Sequence, residues 1–311
     1  MKASLILVHG GTGFIGQNLQ LAFTRLGLSF AVTNSTGGLK AWCPELEFRN
    51  FTAGVEGLDE ISAWSGRRFR AVIDLASPSP KALSQWCTEQ IVKNAIEARI
   101  YFSEFLTRMS GINRIIYVSS GGALYNPTCS RHHKETDVIC VNSKYALSKI
   151  IAESHVIERS FAKGIPYVIL RPANPYGRFQ RPGVGQGVVA NWIDAISKHE
   201  PPVIIGDGSM VRDYICIDDV VKIIVKVIFS ELEGEIINIG TGQGTSLTQL
   251  ANLFEDSLGR TLNFVYRDFA DYSVQRSVLN ISNLLKLFPG VSIVPSSVGI
   301  PIAIRESGIL S

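Results

Sequence analysis

The sequence predicts an α/β protein in which a doubly wound parallel sheet is joined to a smaller, discontinuous α/β lobe. Three observations carry that prediction. Short β-branched runs alternate with helix-length segments through the first half of the chain. The runs are apolar throughout rather than at every second position, as strands covered by helices on both faces must be. A glycine-punctuated turn joins the first run to the first helical segment.

Taken in order, "SLILVHG", "SFAVTN", "LEFRN", "RAVIDLA", "RIIYVSS" and "IPYVILRP" read as strands, each short, rich in Val, Ile, Phe or Tyr, and most followed by a helical stretch. After "ILRPANPYG" the texture changes to Gly/Pro-rich loops, "GRFQRPGVGQG" and "GDGSMVRDY", so the main boundary is placed near Pro172. Residues 1–173 form the first domain and residues 174–311 the second lobe. "EIINIGTG", near 235–242, reads as a strand returning to the first sheet, which makes the second lobe discontinuous.

Composition narrows the function classes. The 311 residues, 46% hydrophobic and 18% charged, suffice for a large core. The net charge is only +3, and the basic residues are scattered rather than gathered with aromatics, so no nucleic-acid partner is expected. Cys43, Cys87, Cys129, Cys140 and Cys216 are odd in number and widely spaced, without C-x-x-C or Cys/His ligand spacing; they read as reduced thiols, and no metal is expected. His132 and His133 in "CSRHHKETD" lack a carboxylate or thiolate at ligand spacing and read as solvated. The most apolar window, "VVKIIVKVIF", is interrupted by Lys222 and Lys226 and falls short of the roughly 18 residues of a membrane span. The amino terminus passes from Lys2 into a strand-like run without an h-region, so the expected setting is the cytoplasm, away from the membrane.

"LILVHGGTGFIGQNLQLAFTRLG" is a strand, a glycine turn and a helix. Gly10, Gly13 and Gly16 permit the tight turn, the approach of backbone N–H groups to a pyrophosphate, and close helix-to-strand packing. The amides of Gly13, Phe14, Ile15 and Gly16 then lie at a helix N-terminus, where an anion is favoured. On the first strand of an alternating chain this predicts a dinucleotide site in a Rossmann-type sheet. An acidic residue about 20 residues on normally takes the ribose 2′-hydroxyl, and an arginine a 2′-phosphate. Here the second strand ends in "VTNSTGG", and Asn34 and Ser35 suit either ribose, so NAD is the first expectation and NADP stays open.

"NSKYALSKIIAE" places Tyr145 and Lys149 four residues apart in a helical stretch, on one face. Tyrosine, with a reference pKa of about 10, is a poor base at neutral pH, but a neighbouring ammonium favours the phenolate and suits it to proton transfer. The pair falls one element after "YVSSGG" and one before the last parallel strand, a placement that chance does not explain.

With these motifs in hand, the chain resembles the extended short-chain dehydrogenase/reductases, in particular the UDP-galactose 4-epimerase-like nucleotide-sugar enzymes. "GGTGFIG", "DLAS", "YVSSGGALY", "YALSK", "LRPANPYG", "GDGSMVRDYICIDDV", "NIGTGQGTSL" and "RSVLNIS" occur in the family's order and span nearly the whole sequence. The resemblance implies that Tyr145 is the acid/base and that Lys149 holds the nicotinamide ribose. It implies that Leu75, Ala76 and Ser77 line the cofactor, that Asn94 supports the neighbouring sheet edge, and that Asn50 stands beside the adenine. For the substrate it implies Asn174 near the sugar or diphosphate, Val188 and Val189 near a uracil, and Arg212, with Arg267 second, on the diphosphate. Arg212 pairing with Asp213 or Asp218, and Asn174 merely setting a turn before Pro175, are the structural alternatives. A homodimer formed by two helices of the first domain is implied as well.

One position departs from the family. The catalytic Ser or Thr expected four residues before Tyr125 is Gly121. Ser120 is the nearest replacement, and the alternative is that Ser119 and Ser120 only close the strand and touch the nicotinamide. Gly121 and Gly122 also remove bulk, which suggests room for a larger substituent such as an N-acetyl group. Gly122 and Ala123 stand where the 4,6-dehydratases carry Asp-Glu, which argues against elimination. The leading expectation is a UDP-hexose or UDP-N-acetylhexosamine 4-epimerase with a 4-keto intermediate. The alternatives are an NAD(P)H-dependent reductase of a 4-keto nucleotide sugar and a cofactor-binding protein without catalysis.

Overall fold

The computed structural model describes residues 5–34, 48–50, 68–78, 80–109, 111–126, 130–183, 187–268 and 275–309. Fourteen strands and ten helices are assigned among them. The chain divides into two compact units, the first formed by Met1–Ser119, Val141–Leu170 and Val221–Ile236, the second by Ser120–Cys140, Arg171–Val220 and Ile237–Ser311.

The first unit holds β1 (Leu5–His9), α1 (Phe14–Arg25), β2 (Phe30–Asn34), β3 (Phe48–Asn50), β4 (Phe69–Asp74), α2 (Pro80–Ser84), α3 (Thr88–Arg108) and β5 (Ile115–Val118). In the second unit, α4 (Gly121–Leu124) follows; the chain then re-enters the first with α5 (Lys144–Lys163) and β6 (Tyr167–Pro172). The sheet order is β11-β6-β5-β4-β1-β2-β3, where β11 is Glu235–Ile239. Pairing is parallel from β6 through β3. At β11, Gly234 N donates to Tyr167 O and Ala173 N to Ile239 O, so both partners advance together and the returning strand is parallel too.

Local chemistry explains these elements. Every residue of β5 is buried, as a central strand with helices on both faces requires. Ser143 caps α5 by accepting from Ala146 N at 3.1 Å, and Gly164, at φ 62°, ends the helix in the left-handed region that glycine adopts without strain. On one face of the sheet Leu7, Val72, Phe102, Leu106, Tyr117, Val156 and Ile169 form a single core.

The second unit contains β7 (Asn174–Tyr176), α6 (Val188–Ser197), β8 (Val203–Ile205), β9 (Val211–Arg212), β10 (Tyr214–Cys216), β12 (Thr245–Ser246), α8 (Leu247–Leu258), β13 (Val265–Arg267), β14 (Arg276–Ser277), α9 (Ser282–Leu287) and α10 (Ser296–Glu306). The strands make small sheets, β10-β7, β12-β9-β14 and β13-β8. Its core gathers Tyr176, Trp192, Ile204, Leu250, Phe254 and Ile300.

Two segments divide differently from the boundary near Pro172. Residues 120–140 belong to the second unit, because their hydrogen bonds run there: Tyr125 Oη donates to Asn238 Oδ1 at 2.7 Å, and His133 N to Val278 O at 2.9 Å. Residues 221–236, which include most of α7 (Ile217–Ile228), belong to the first, where Arg114 Nη1 donates to Val227 O and to Ser230 Oγ. Among the described residues no helix is long and apolar enough to cross a membrane, and no cluster of His, Cys, Asp and Glu could hold a metal ion.

Candidate active site

The strand order reverses between β1 and β4, where a doubly wound sheet opens a crevice at its carboxyl edge. The turn after β1 is bare backbone. Gly10 has φ +76°, and a Cβ there would stand 2.9 Å from Ala76 N; at Gly16 it would stand 2.2 Å from Gly11 O. Gly10 N and Gly11 N both donate to Thr33 O, which fastens the turn to β2. Gly13 is the N-cap of α1, with no capping side chain and no acidic residue in the first turn. Its opening amides, followed by Phe14 and Ile15, therefore face no competing negative group of their own helix. This cradle fits the pyrophosphate of a dinucleotide.

Two parts of the turn were not legible in the glycine spacing. Gly11 lies so close to β2 that a Cβ would meet Val32 Cγ1 at 2.4 Å. Gln20, buried on α1, donates to Gly11 O at 2.8 Å and ties helix to turn. The doubled glycine of "HGGTG" was the available signal for the first; nothing marked the second.

The residues after β4 border the same crevice. Leu75 N donates to His9 O, and Ala76 N to Asp74 Oδ1 at 3.1 Å, while Ser77 is exposed. Asn94 is half-buried on α3. Asn34 and Asn50 are register partners at the carboxyl ends of β2 and β3. Their side chains, and Ser35 altogether, lie outside the described residues.

Tyr145 and Lys149 come together on α5. Lys149 Nζ lies 5.6 Å from the centre of the Tyr145 ring and donates to Val118 O, at the end of β5, at 3.1 Å. The lysine is buried, and burial pushes its ammonium down to about 8, against the attraction of Asp74 and with the repulsion of Arg99. Beside Val118, the Ser119 hydroxyl is buried without a hydrogen-bond partner. A buried hydroxyl without a protein partner next to that lysine fits a hydrogen bond to a cofactor.

In the second unit Ser120 is the N-cap of α4, and its hydroxyl makes no capping bond. Gly121 does not enlarge a pocket, contrary to the expectation from its missing bulk. A Cβ there would meet Leu279 Cδ1 at 2.6 Å and Arg171 O at 2.8 Å, so packed neighbours fill the space. Gly122 differs, since its Cβ would make ordinary contact with Asn174 at 3.4 Å. Asn174 Nδ2 donates to Asp213 O at 3.0 Å, which leaves its side-chain oxygen directed elsewhere.

Arg212, half-buried on β9, donates to Val211 O at 2.9 Å, and among the described residues no carboxylate forms an ion pair with it. Burial pushes its guanidinium below the ordinary arginine range, with Tyr214 opposing. Neighbouring Asp213 is engaged elsewhere, accepting from Thr241 N and Oγ1, Gly242 N and Leu279 N. The pairing of Arg212 with Asp213 is thereby set aside. Val189 is a correction of the opposite kind: it is 2% exposed in the core with Trp192 and Ile196, so its side chain is not available to a base, and Val188 packs against the same cluster. Arg267, on β13, is exposed.

The sequence profile of the NAD dependent epimerase/dehydratase family matches residues 6–240. A Methanocaldococcus jannaschii protein provisionally named UDP-glucose 4-epimerase is 30% identical over 290 residues, covering 89% of this chain and 90% of its own. The dTDP-4-dehydro-6-deoxyglucose reductase of Escherichia coli is 29% identical over 299 residues, covering 90% of each. The crystal structure of Thermotoga maritima UDP-glucose 4-epimerase with UDP-glucose superposes with a TM-score of 0.84 at 27% identity, covering 97% of each chain.

Proposed function

The chain belongs to the NAD dependent epimerase/dehydratase family, and from that premise we propose that it interconverts a UDP-hexose or UDP-N-acetylhexosamine with its C4 epimer. The observation that carries the reading is the Tyr145/Lys149 pair, with the lysine anchored on Val118 O. The 4-epimerase names of the relatives support it further.

NAD is the cofactor of this family, and the bare turn at Gly10, Gly11, Gly13 and Gly16 fits it; when bound, it supplies the acceptor and later the donor of the C4 hydride. Tyr145 takes the proton of the C4 hydroxyl and returns one to the 4-keto oxygen after the sugar has turned. Lys149 favours the phenolate through its charge and holds the nicotinamide ribose. Arg212 meets the diphosphate through charge-assisted hydrogen bonds. Asn174 positions the sugar, Ser120 supplies the hydrogen bond to the substrate oxygen in place of a hydroxyl at Gly121, and the buried Ser119 hydroxyl contacts the nicotinamide.

The test is incubation of the purified protein with UDP-glucose, UDP-galactose and their N-acetylated counterparts, with chromatographic separation of the epimers. Interconversion of one pair is expected; none with any pair overturns the reading. A 4-keto nucleotide-sugar reductase is the second reading, favoured by the Escherichia coli relative. Denaturing the fresh protein separates the two, because an epimerase keeps its NAD through the cycle whereas a reductase exchanges it.

The reading includes a homodimer through α3 and α5. Ile96 and Ile100 on the first, and Ile157 and Phe161 on the second, are exposed in i, i+4 pairs, Phe161 to 93%. Sedimentation of Phe161→Glu as a monomer, with the unaltered protein a dimer, is the expected result; a monomeric unaltered protein sinks this part.

A further inference from the structure

A rung of polar side chains crosses the sheet of the first unit. Thr33 is the register partner of His9, His9 of Asp74, and Asp74 of Tyr117. Register partners on parallel neighbours project to the same face, and the His9 Nδ1 to Thr33 Oγ1 distance of 2.8 Å agrees. All four residues sit beside an otherwise apolar core of Leu7, Val72, Phe102, Val156 and Ile169. From α3, Arg99 Nη1 donates to Asp74 Oδ2 at 2.5 Å, with Asp74 fully buried and Arg99 6% exposed. From α5, Lys149 Nζ stands 5.3 Å over the Tyr117 ring.

A buried ion pair is a poor device for stability, because desolvation of two charges cancels much of their attraction and an apolar pair of similar volume often packs as well or better. Its place suggests another purpose. Asp74 ends the strand that leads into the cofactor-lining Leu75, and its sheet neighbour Tyr117 lies directly beneath Lys149. The ionisable groups around Lys149 are Tyr117 from β5, Asp74 from β4, Arg99 from α3, and Tyr145 and Glu153 from its own helix; His9 flanks Asp74, and His155 lies near Arg99.

We propose that Asp74 and Arg99 are a positioning pair for Lys149, in which the buried carboxylate holds the lysine as a cation beside Tyr145 while the guanidinium orients that carboxylate and limits its pull. The inference rests on the reading of Tyr145 and Lys149 as the acid/base pair. Burial drives Lys149 towards its neutral form, Asp74 is the largest opposing influence, and Arg99 works with burial. Asp74 can play this part because it stays ionised: burial alone would raise it, but Arg99 and His9 hold it below the usual carboxylate range.

The test titrates Lys149 in the full-length protein carrying ¹³C-labelled lysine, without substrate, with the resonance assigned by its loss in Lys149→Met. Asp74→Asn is expected to lower the Lys149 midpoint by about one pH unit, and Arg99→Gln to raise it. The double variant is expected to fall between unaltered protein and Asp74→Asn, since the carboxylate outweighs the guanidinium at Lys149. The alkaline limb of the kcat profile should shift in the same order, a pattern that a merely structural pair does not produce. Either single change strands a buried charge, so if neither folds, the double variant decides: a lowered midpoint supports the pair, and an unmoved one overturns it. Unmoved or same-direction midpoints in folded single variants overturn it as well. Failure to epimerise any UDP-sugar would remove the functional reading alone, because the titration needs no turnover.

Discussion

Lys149 reaches back from α5 to donate to the carbonyl of Val118 and lies 5.6 Å from the ring of Tyr145. That hydrogen bond goes to a neutral carbonyl, and among the described residues no carboxylate pairs with Lys149 in direct contact. A cation held near a phenol and anchored to the end of a rigid strand acts on the phenol over a fixed distance.

Replacing Tyr145 by Phe is expected to lower turnover by roughly 10²- to 10⁴-fold, the usual contribution of a positioned acid/base, with little change in melting temperature. Lys149→Met should give a comparable loss. Steady-state kinetics and thermal melts check both, and a Tyr145→Phe protein within a few-fold of normal turnover would exclude the phenol from the proton transfer.

Arg212 has no carboxylate partner among the described residues, so its removal leaves no anion stranded. Arg212→Ala is expected to raise KM for the UDP-sugar about 10- to 100-fold, the worth of a charge-assisted hydrogen bond, while the melting temperature moves little. An unchanged KM would remove Arg212 from the substrate site.

Restoring the family hydroxyl should not help. Gly121→Ser forces a Cβ against Arg171 O and Leu279, and we expect a loss of about 1–3 kcal/mol in stability without a gain in kcat. Gly122→Ser, whose Cβ meets Asn174 at 3.4 Å, is expected to fold normally. Denaturant melts of the two variants decide the matter, and equal stability would contradict the packing described here.

His155 carries a pH dependence of stability. Its Nε2 contacts Ser103 Oγ at 2.5 Å, and burial pushes the imidazole from its ordinary value of 6.5 down to about 4. The unfolded chain takes up that proton first, so stability is full above about pH 6.5 and declines as pH falls towards 4. Melting temperatures across that window should fall less steeply in His155→Gln; an identical slope in both proteins would assign the acid sensitivity elsewhere.

Much of this architecture was legible in the sequence for local reasons. The turn at Gly10 to Gly16 and the Tyr145/Lys149 pair are short-range patterns, fixed by a strand, a turn and one helical period. Long-range packing was not legible. That Gly121 lies under Leu279 and Arg171, or that Val189 points into a core, depends on residues far along the chain. The Asp74–Arg99 pair left one readable trace, an arginine three residues before Phe102 on the apolar face of α3, but its partner lies on a strand 25 residues earlier.

The crowding at Gly121 also bears on how this sequence can change. A serine codon there is a single-residue step on paper, yet the step is closed until Leu279 shrinks and the strand carrying Arg171 shifts. The route back to a hydroxyl at this position therefore runs through distant sites first, and the glycine is kept in place by its neighbours rather than by any chemistry of its own.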